Sequence, residues 1–161
     1  YTTLFRSKWN CFFGKGDKPA ELIKKLSFDK YNKIYDDGTT FISQLPEECG
    51  RYEKEEDCNL TLSNNFYKSF FSGLPKTYKA KNYSKIPKDL PLLLIAGDGD
   101  PVGGYGKLME KLYRFYKEKV GVKSVKKVIY PKVRHEYLND ASREAVKKEI
   151  ADFAESIKKR V

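Results

Sequence analysis

The chain has 161 residues, 40% of them hydrophobic and 14% aromatic, enough for one globular domain with a real core rather than a disordered segment. Its formal net charge is +10, carried mostly by lysines scattered among acids, as in Lys54-Glu55-Glu56-Asp57. That pattern, with no zinc-finger, basic-zipper or RNA-recognition motif, argues against nucleic acid as a partner, and no apolar run approaches the roughly 20 residues of a membrane-crossing helix.

Residues 1–83 are aromatic-rich and lack regular strand alternation. Pro19 to Leu26 reads as a short amphipathic helix, with Pro19 in its first turn. Asp36-Asp37-Gly38 reads as a turn. A second helix is expected from about Asn64 to Gly73, with Phe66, Tyr67, Phe70 and Phe71 on one face and Gly73-Leu74-Pro75 as its stop. That aromatic stripe suits core packing, and it also has the composition of an acyl-binding groove.

From residue 86 the pattern is more regular. Leu92 to Ala96 is a short apolar run between Pro91 and Gly97, as expected of a strand buried on both faces. Tyr105 to Lys119 carries a helical stripe of Leu108, Met109, Leu112, Phe115 and Tyr116, with Gly121 just beyond its end. Val125 to Tyr130 is a second strand, closed by Pro131. Asn139 and Asp140 are candidate caps for a final helix bearing Val146, Ile150, Phe153, Ala154 and Ile157. Strand, helix, strand and helix in that order make a parallel βαβα unit.

Two parallel strands leave faces and edges uncovered, so further strands are expected upstream of Tyr1. The start at Tyr1, with Met109 the single methionine, points the same way. Cys11, Cys49 and Cys58 have no metal-ligand spacing, and one histidine cannot complete a zinc set, so free thiols of a reducing cytoplasm are expected and no metal. Gly97-Asp98-Gly99 and Gly104-Tyr105-Gly106 lack the third glycine of a dinucleotide fingerprint, and there is no Gly-Lys-Ser/Thr loop.

Two residues carry chemistry. Asp100 follows the first strand in Gly97-Asp98-Gly99-Asp100-Pro101-Val102. His135, the sole histidine, follows the second in Tyr130-Pro131-Lys132-Val133-Arg134-His135-Glu136. In open α/β sheets, ligands sit beyond the C-terminal strand ends, where both residues emerge. A carboxylate that holds an imidazole in one tautomer, so that its other nitrogen can take a proton from a hydroxyl, is two thirds of a hydrolytic triad. Asp98 competes with Asp100 for the acid role. The third member is not visible. No Gly-x-Ser-x-Gly occurs, and Ser72 and Ser84 lack a strand–elbow–helix setting.

From Pro91 to Val161 the chain resembles the C-terminal end of the α/β-hydrolase family that includes monoacylglycerol lipases, lysophospholipases and serine aminopeptidase-like hydrolases. The resemblance rests on Gly97-Asp98-Gly99-Asp100-Pro101-Val102, Gly104-Tyr105-Gly106-Lys107, Tyr130-Pro131, Arg134-His135-Glu136 and Asn139. It is looser upstream, in Leu26-Ser27-Phe28-Asp29-Lys30-Tyr31-Asn32 and from Asp57-Cys58-Asn59 to Asn65-Phe66-Tyr67. There the family's tryptophan-leucine pair is replaced by Phe41-Ile42.

The resemblance implies the C-terminal part of an α/β-hydrolase fold, its last two parallel strands with their helices (residues 86–161), preceded by a mainly helical cap (residues 1–85). It selects Asp100 over Asp98 and assigns Asp100 and His135 as acid and base of the triad. It implies hydrolysis of a carboxylic ester, such as a monoacylglycerol or lysophospholipid, by a serine outside this chain, with no cofactor. On that view the 161 residues alone are inert. The basic surface would permit weak attraction to anionic membranes. An inactive hydrolase remnant and a basic binding module are the competing readings, separable by esterase activity and by salt-dependent DNA binding.

Overall fold

The computed structural model describes residues 2–26, 28–58 and 60–159. In chain order the elements are α1 (Thr2–Phe12), α2 (Glu21–Leu26), α3 (Phe28–Asn32), α4 (Pro46–Lys54), α5 (Asn64–Thr77), α6 (Ala80–Tyr83), β1 (Leu92–Gly97), α7 (Lys107–Arg114), β2 (Val125–Tyr130) and α8 (Arg143–Lys158). A π-helical turn, Phe115–Val120, continues α7, and a 3-10 turn, Tyr137–Asn139, precedes α8. Tyr1, and Ser27 and Asn59 in the two cap-like segments, lie outside the described residues. Two compact units share the chain: Tyr1–Lys30 with Glu55–Lys85, and Tyr31–Lys54 with Ile86–Val161. Residues 31–54 therefore pack with the strands, although they precede residue 85.

The first unit is built on α5. Ser63 starts it, accepting the Phe66 amide on its hydroxyl. Tyr67 packs with Ala20 and Ile23 as the buried centre, and Leu62 and Phe71 close around them. Asn64 is buried and joins three segments: its side-chain amide donates to the Lys15 and Lys18 carbonyls, and its oxygen accepts from Asn10. The expected aromatic stripe splits into two rows. Tyr67 and Phe71 face the core, while Phe66, Phe70 and Leu74, one turn apart each, are exposed. A 100° step per residue separates neighbours in sequence, so the adjacent pairs Phe66-Tyr67 and Phe70-Phe71 cannot share one narrow face.

Two expectations in this unit need correction. Pro19 is not in the first turn of α2. It forms an isolated antiparallel bridge with Ser63, and the helix starts two residues later. Helix α5 does not stop at Gly73 but runs through Pro75 to Thr77, because Gly73 does not enter the left-handed region that ends helices and one proline removes only one amide donor. Helices α1 and α6 here, and α4 in the second unit, have no individual signal in the sequence but fall in a region expected to be mainly helical.

The second unit holds the sheet. Strands β1 and β2 are parallel, in register from Leu92 opposite Val125 to Gly97 opposite Tyr130. Both therefore end at the same level. The apolar run of β1 is only half-buried from Leu92 to Ala96, because two strands do not enclose both faces. The predicted helix from Tyr105 begins at Lys107 instead: Tyr105 and Gly106 take left-handed conformations, φ 57° and 80°. Gly121, at φ 81°, ends the helical stretch as expected. Neither Asn139 nor Asp140 is the cap of α8. That position is Ser142, and Asp140 is turned inward, 1% exposed.

Candidate active site

The loops after β1 and β2 are laced to each other immediately beyond the strand ends. The Asp98 amide donates to the Tyr130 carbonyl at 3.0 Å, and the Gly99 amide to the Val133 carbonyl at 2.9 Å. The approach is so close that a Cβ on Gly97 would lie 1.9 Å from the Val133 oxygen, and one on Gly99 would lie 2.5 Å from the Lys132 oxygen. Only glycine fits at these positions. Asp98 is consumed here, its carboxylate accepting the Lys132 amide. That removes it as a competitor for the acid role.

Asp100 is turned the other way. Its Oδ1 accepts the Val102 amide at 2.8 Å, and its Oδ2 lies 3.1 Å from His135 Nδ1. The structure thus brings together the two residues singled out in the sequence. Asp100 is buried, its side chain 11% exposed, whereas the His135 side chain is 43% exposed. The hydrogen bond to Asp100 raises the His135 pKa above its ordinary value of 6.5; burial acts against this and is outweighed. The pairing uses Nδ1 and leaves Nε2 as the ring's other proton site. Among the described residues no cluster of three or more His, Cys, Asp or Glu could hold a metal ion.

The surroundings of the pair come from residues 35–44, whose part the sequence reading missed. The His135 amide donates to the Phe41 carbonyl at 3.1 Å and the Glu136 amide to the Ile42 carbonyl at 2.9 Å. The Phe41 ring, almost fully buried, sits 5.8 Å from the imidazole centroid. Arg134 is buried beside them. Its guanidinium donates to the Thr40 and Ser43 carbonyls at 2.7 and 2.9 Å, to the Thr39 hydroxyl, and to Asp37 Oδ2 at 2.8 Å. It also lies 3.8 Å above the centre of the Tyr35 ring. The Thr39 hydroxyl, with Arg134, holds the Asp37 carboxyl down to about 2. In place of the expected Asp36-Asp37-Gly38 turn the chain bends at Asp37 and Gly38, with Gly38 at φ 76°, and Asp37 serves as an anchor. The signal was an arginine next to the histidine, since a buried guanidinium needs acceptors somewhere in the chain.

The fold that carries these loops has counterparts of known structure. The chain is similar to a highly thermostable carboxyl esterase from Bacillus coagulans, solved in complex with glycerol, with a TM-score of 0.81 and 25% identity over 97% of this chain and 52% of that one. A lipase in its open form matches in fold, with a TM-score of 0.76 at 20% identity over 97% of this chain and 50% of the other. The fold is that of the α/β hydrolases, and the chain spans about half the length of these relatives. The family model described as serine aminopeptidase, S33, matches residues 16–142, and the chain belongs to that family. No curated protein sequence matches it.

Proposed function

We propose that this chain supplies the acid and the base of a serine ester hydrolase, with the nucleophilic serine provided by sequence outside it. The observation that carries this reading is the 3.1 Å approach of Asp100 Oδ2 to His135 Nδ1 at the aligned ends of two parallel strands. Asp100 accepts a hydrogen bond from Nδ1–H and fixes the tautomer. Nε2 takes the serine proton as the hydroxyl adds to the acyl carbon, then returns it to the departing alcohol. The likeness to a carboxyl esterase supports an ester as the substrate. A monoacylglycerol or lysophospholipid is the class we propose. Residues 58–85 contain five lysines and no acid, and within them Phe66, Phe70 and Leu74 are exposed, which supports an anionic lipid surface as the place where such a substrate is met.

The test is hydrolysis by the purified full-length protein of monoacylglycerols, lysophospholipids and aminoacyl anilides, with labelling by a fluorophosphonate. We expect ester turnover that falls by on the order of 10⁴ in His135→Ala. Turnover unaffected by His135→Ala, or confined to the anilides, would overturn the reading.

A further inference from the structure

One residue touches the chain just before both members of the pair. The Tyr35 hydroxyl donates to the Gly99 carbonyl at 2.6 Å, one position before Asp100. The Tyr35 ring carries the guanidinium of Arg134, one position before His135, at 3.8 Å. Arg134 is in turn fastened to residues 37–43, whose Phe41 carbonyl holds the His135 amide. The chain of contacts closes on itself: Gly99 to Tyr35, Tyr35 to Arg134, Arg134 to the 37–43 segment, and that segment to His135.

We propose that Tyr35 and Arg134 form a clamp that sets the separation of Asp100 and His135, making both positioning residues for the proposed hydrolysis. The proposal rests on Asp100 and His135 being the acid and base. The physical need is clear. Asp100 and His135 sit on separate loops, and His135 is substantially exposed, so the 3.1 Å contact alone does little to hold it against water. A phenol donating to one loop, and a planar cation on the other that stacks on the ring and donates to a carboxylate, tie the loops to a third segment. Burial raises the Tyr35 pKa, against the opposing pull of Arg134, so the hydroxyl remains a donor across the working range.

The substitution to make is Tyr35→Phe, which keeps the ring under Arg134 and deletes only the bond to Gly99. The readout is the His135 ring titration followed by NMR, assigned by its loss in His135→Ala. The charged groups acting on that ring are Asp100 and Glu136. We expect the wild-type midpoint to lie above 6.5, and Tyr35→Phe to move it down with the melting temperature shifted by only a few degrees. kcat should fall roughly tenfold or more at unchanged KM. Arg134→Lys keeps the charge but loses the fork and the stacking, and should lower the same midpoint. Combined with Tyr35→Phe its effect should be less than additive, because both cut one chain of contacts. A wild-type midpoint in both single variants overturns the clamp and leaves the acid–base reading standing. Midpoints lowered as expected in a protein without ester turnover keep the clamp and sink the hydrolase reading. A wild-type midpoint at 6.5, unmoved by Asp100→Asn, sinks both.

Discussion

Asp140 Oδ2 accepts the Arg134 amide at 2.8 Å, so a carboxylate past the histidine loop fixes the backbone one residue before His135. Its other oxygen accepts the Gln44 amide at 3.1 Å, the Gln44 side-chain nitrogen at 3.2 Å and the Ala141 amide at 2.7 Å. A fully buried carboxyl group is tolerable here because both of its oxygens accept hydrogen bonds.

Removing that carboxylate strands several buried donors at once. Asp140→Ala should destabilise the protein by about 3 kcal/mol, from unsatisfied amides as well as the lost side chain. Asp140→Asn offers one acceptor oxygen in place of two and should cost less, but still more than about 1 kcal/mol. Denaturant unfolding of both variants measures this. Two near-neutral substitutions would mean that water reaches the site and Asp140 is not the anchor described.

The Gly97 backbone leaves no room for a methyl group beneath Val133. Gly97→Ala should cost about 3 kcal/mol, the upper end for overpacking, because the clash is with a carbonyl that cannot rotate away. The same change should push the loops apart and weaken the Asp100–His135 contact. An unfolding midpoint shifted by less than the equivalent of about 1 kcal/mol would show that the loops yield easily.

The strands and the last helix were legible in the sequence because their signals are local. A continuous apolar run between proline and glycine, and a 3.6-residue stripe, need no partner to be recognised. Asp100 and His135 were legible because each sits in a marked loop. Residues 35–44 were not, since nothing in their periodicity shows what they hold. Their meaning lies in hydrogen bonds to residues more than 90 positions later, as between Thr40 and Arg134. Asp140 was misread for the same reason: a short acid before a helix is normally a cap, and here a buried demand for acceptors took it first.

The raised pKa of His135 has consequences for both stability and activity. The Asp100 hydrogen bond favours the protonated ring in the folded state, so its contribution to stability is fully present below 6.5 and is lost as pH rises through the folded-state value. Denaturation at a series of pH values should therefore show Asp100→Asn costing more stability at pH 5 than at pH 9. Activity follows the opposite sense. In the proposed mechanism His135 must be neutral to take the serine proton, so the acid limb of kcat/KM should lie above 6.5 in the wild type and move down in Asp100→Asn, whose residual rate should be lower by on the order of 10⁴. An acid limb that stays in place in Asp100→Asn would assign it to another group.

The exposed row of Phe66, Phe70 and Leu74 lies in a segment whose only charges are lysines, and the lipid binding proposed there would combine two forces with different dependences. Each lysine near an anionic surface contributes about 1 kcal/mol, and salt screens that contribution. Burial of the phenyl rings is insensitive to salt. Co-sedimentation with phosphatidylglycerol vesicles should therefore exceed that with phosphatidylcholine vesicles, and the difference should shrink as salt is raised. Phe66→Ser combined with Phe70→Ser should weaken binding to the anionic vesicles several-fold and lower the melting temperature by only a few degrees, because both rings are exposed and touch the core only edge-on, at Tyr67 and Phe71. Equal binding to both vesicle types, or a double variant that binds as the wild type does, would remove the lipid surface from the proposal and leave a hydrolase acting on esters in free solution.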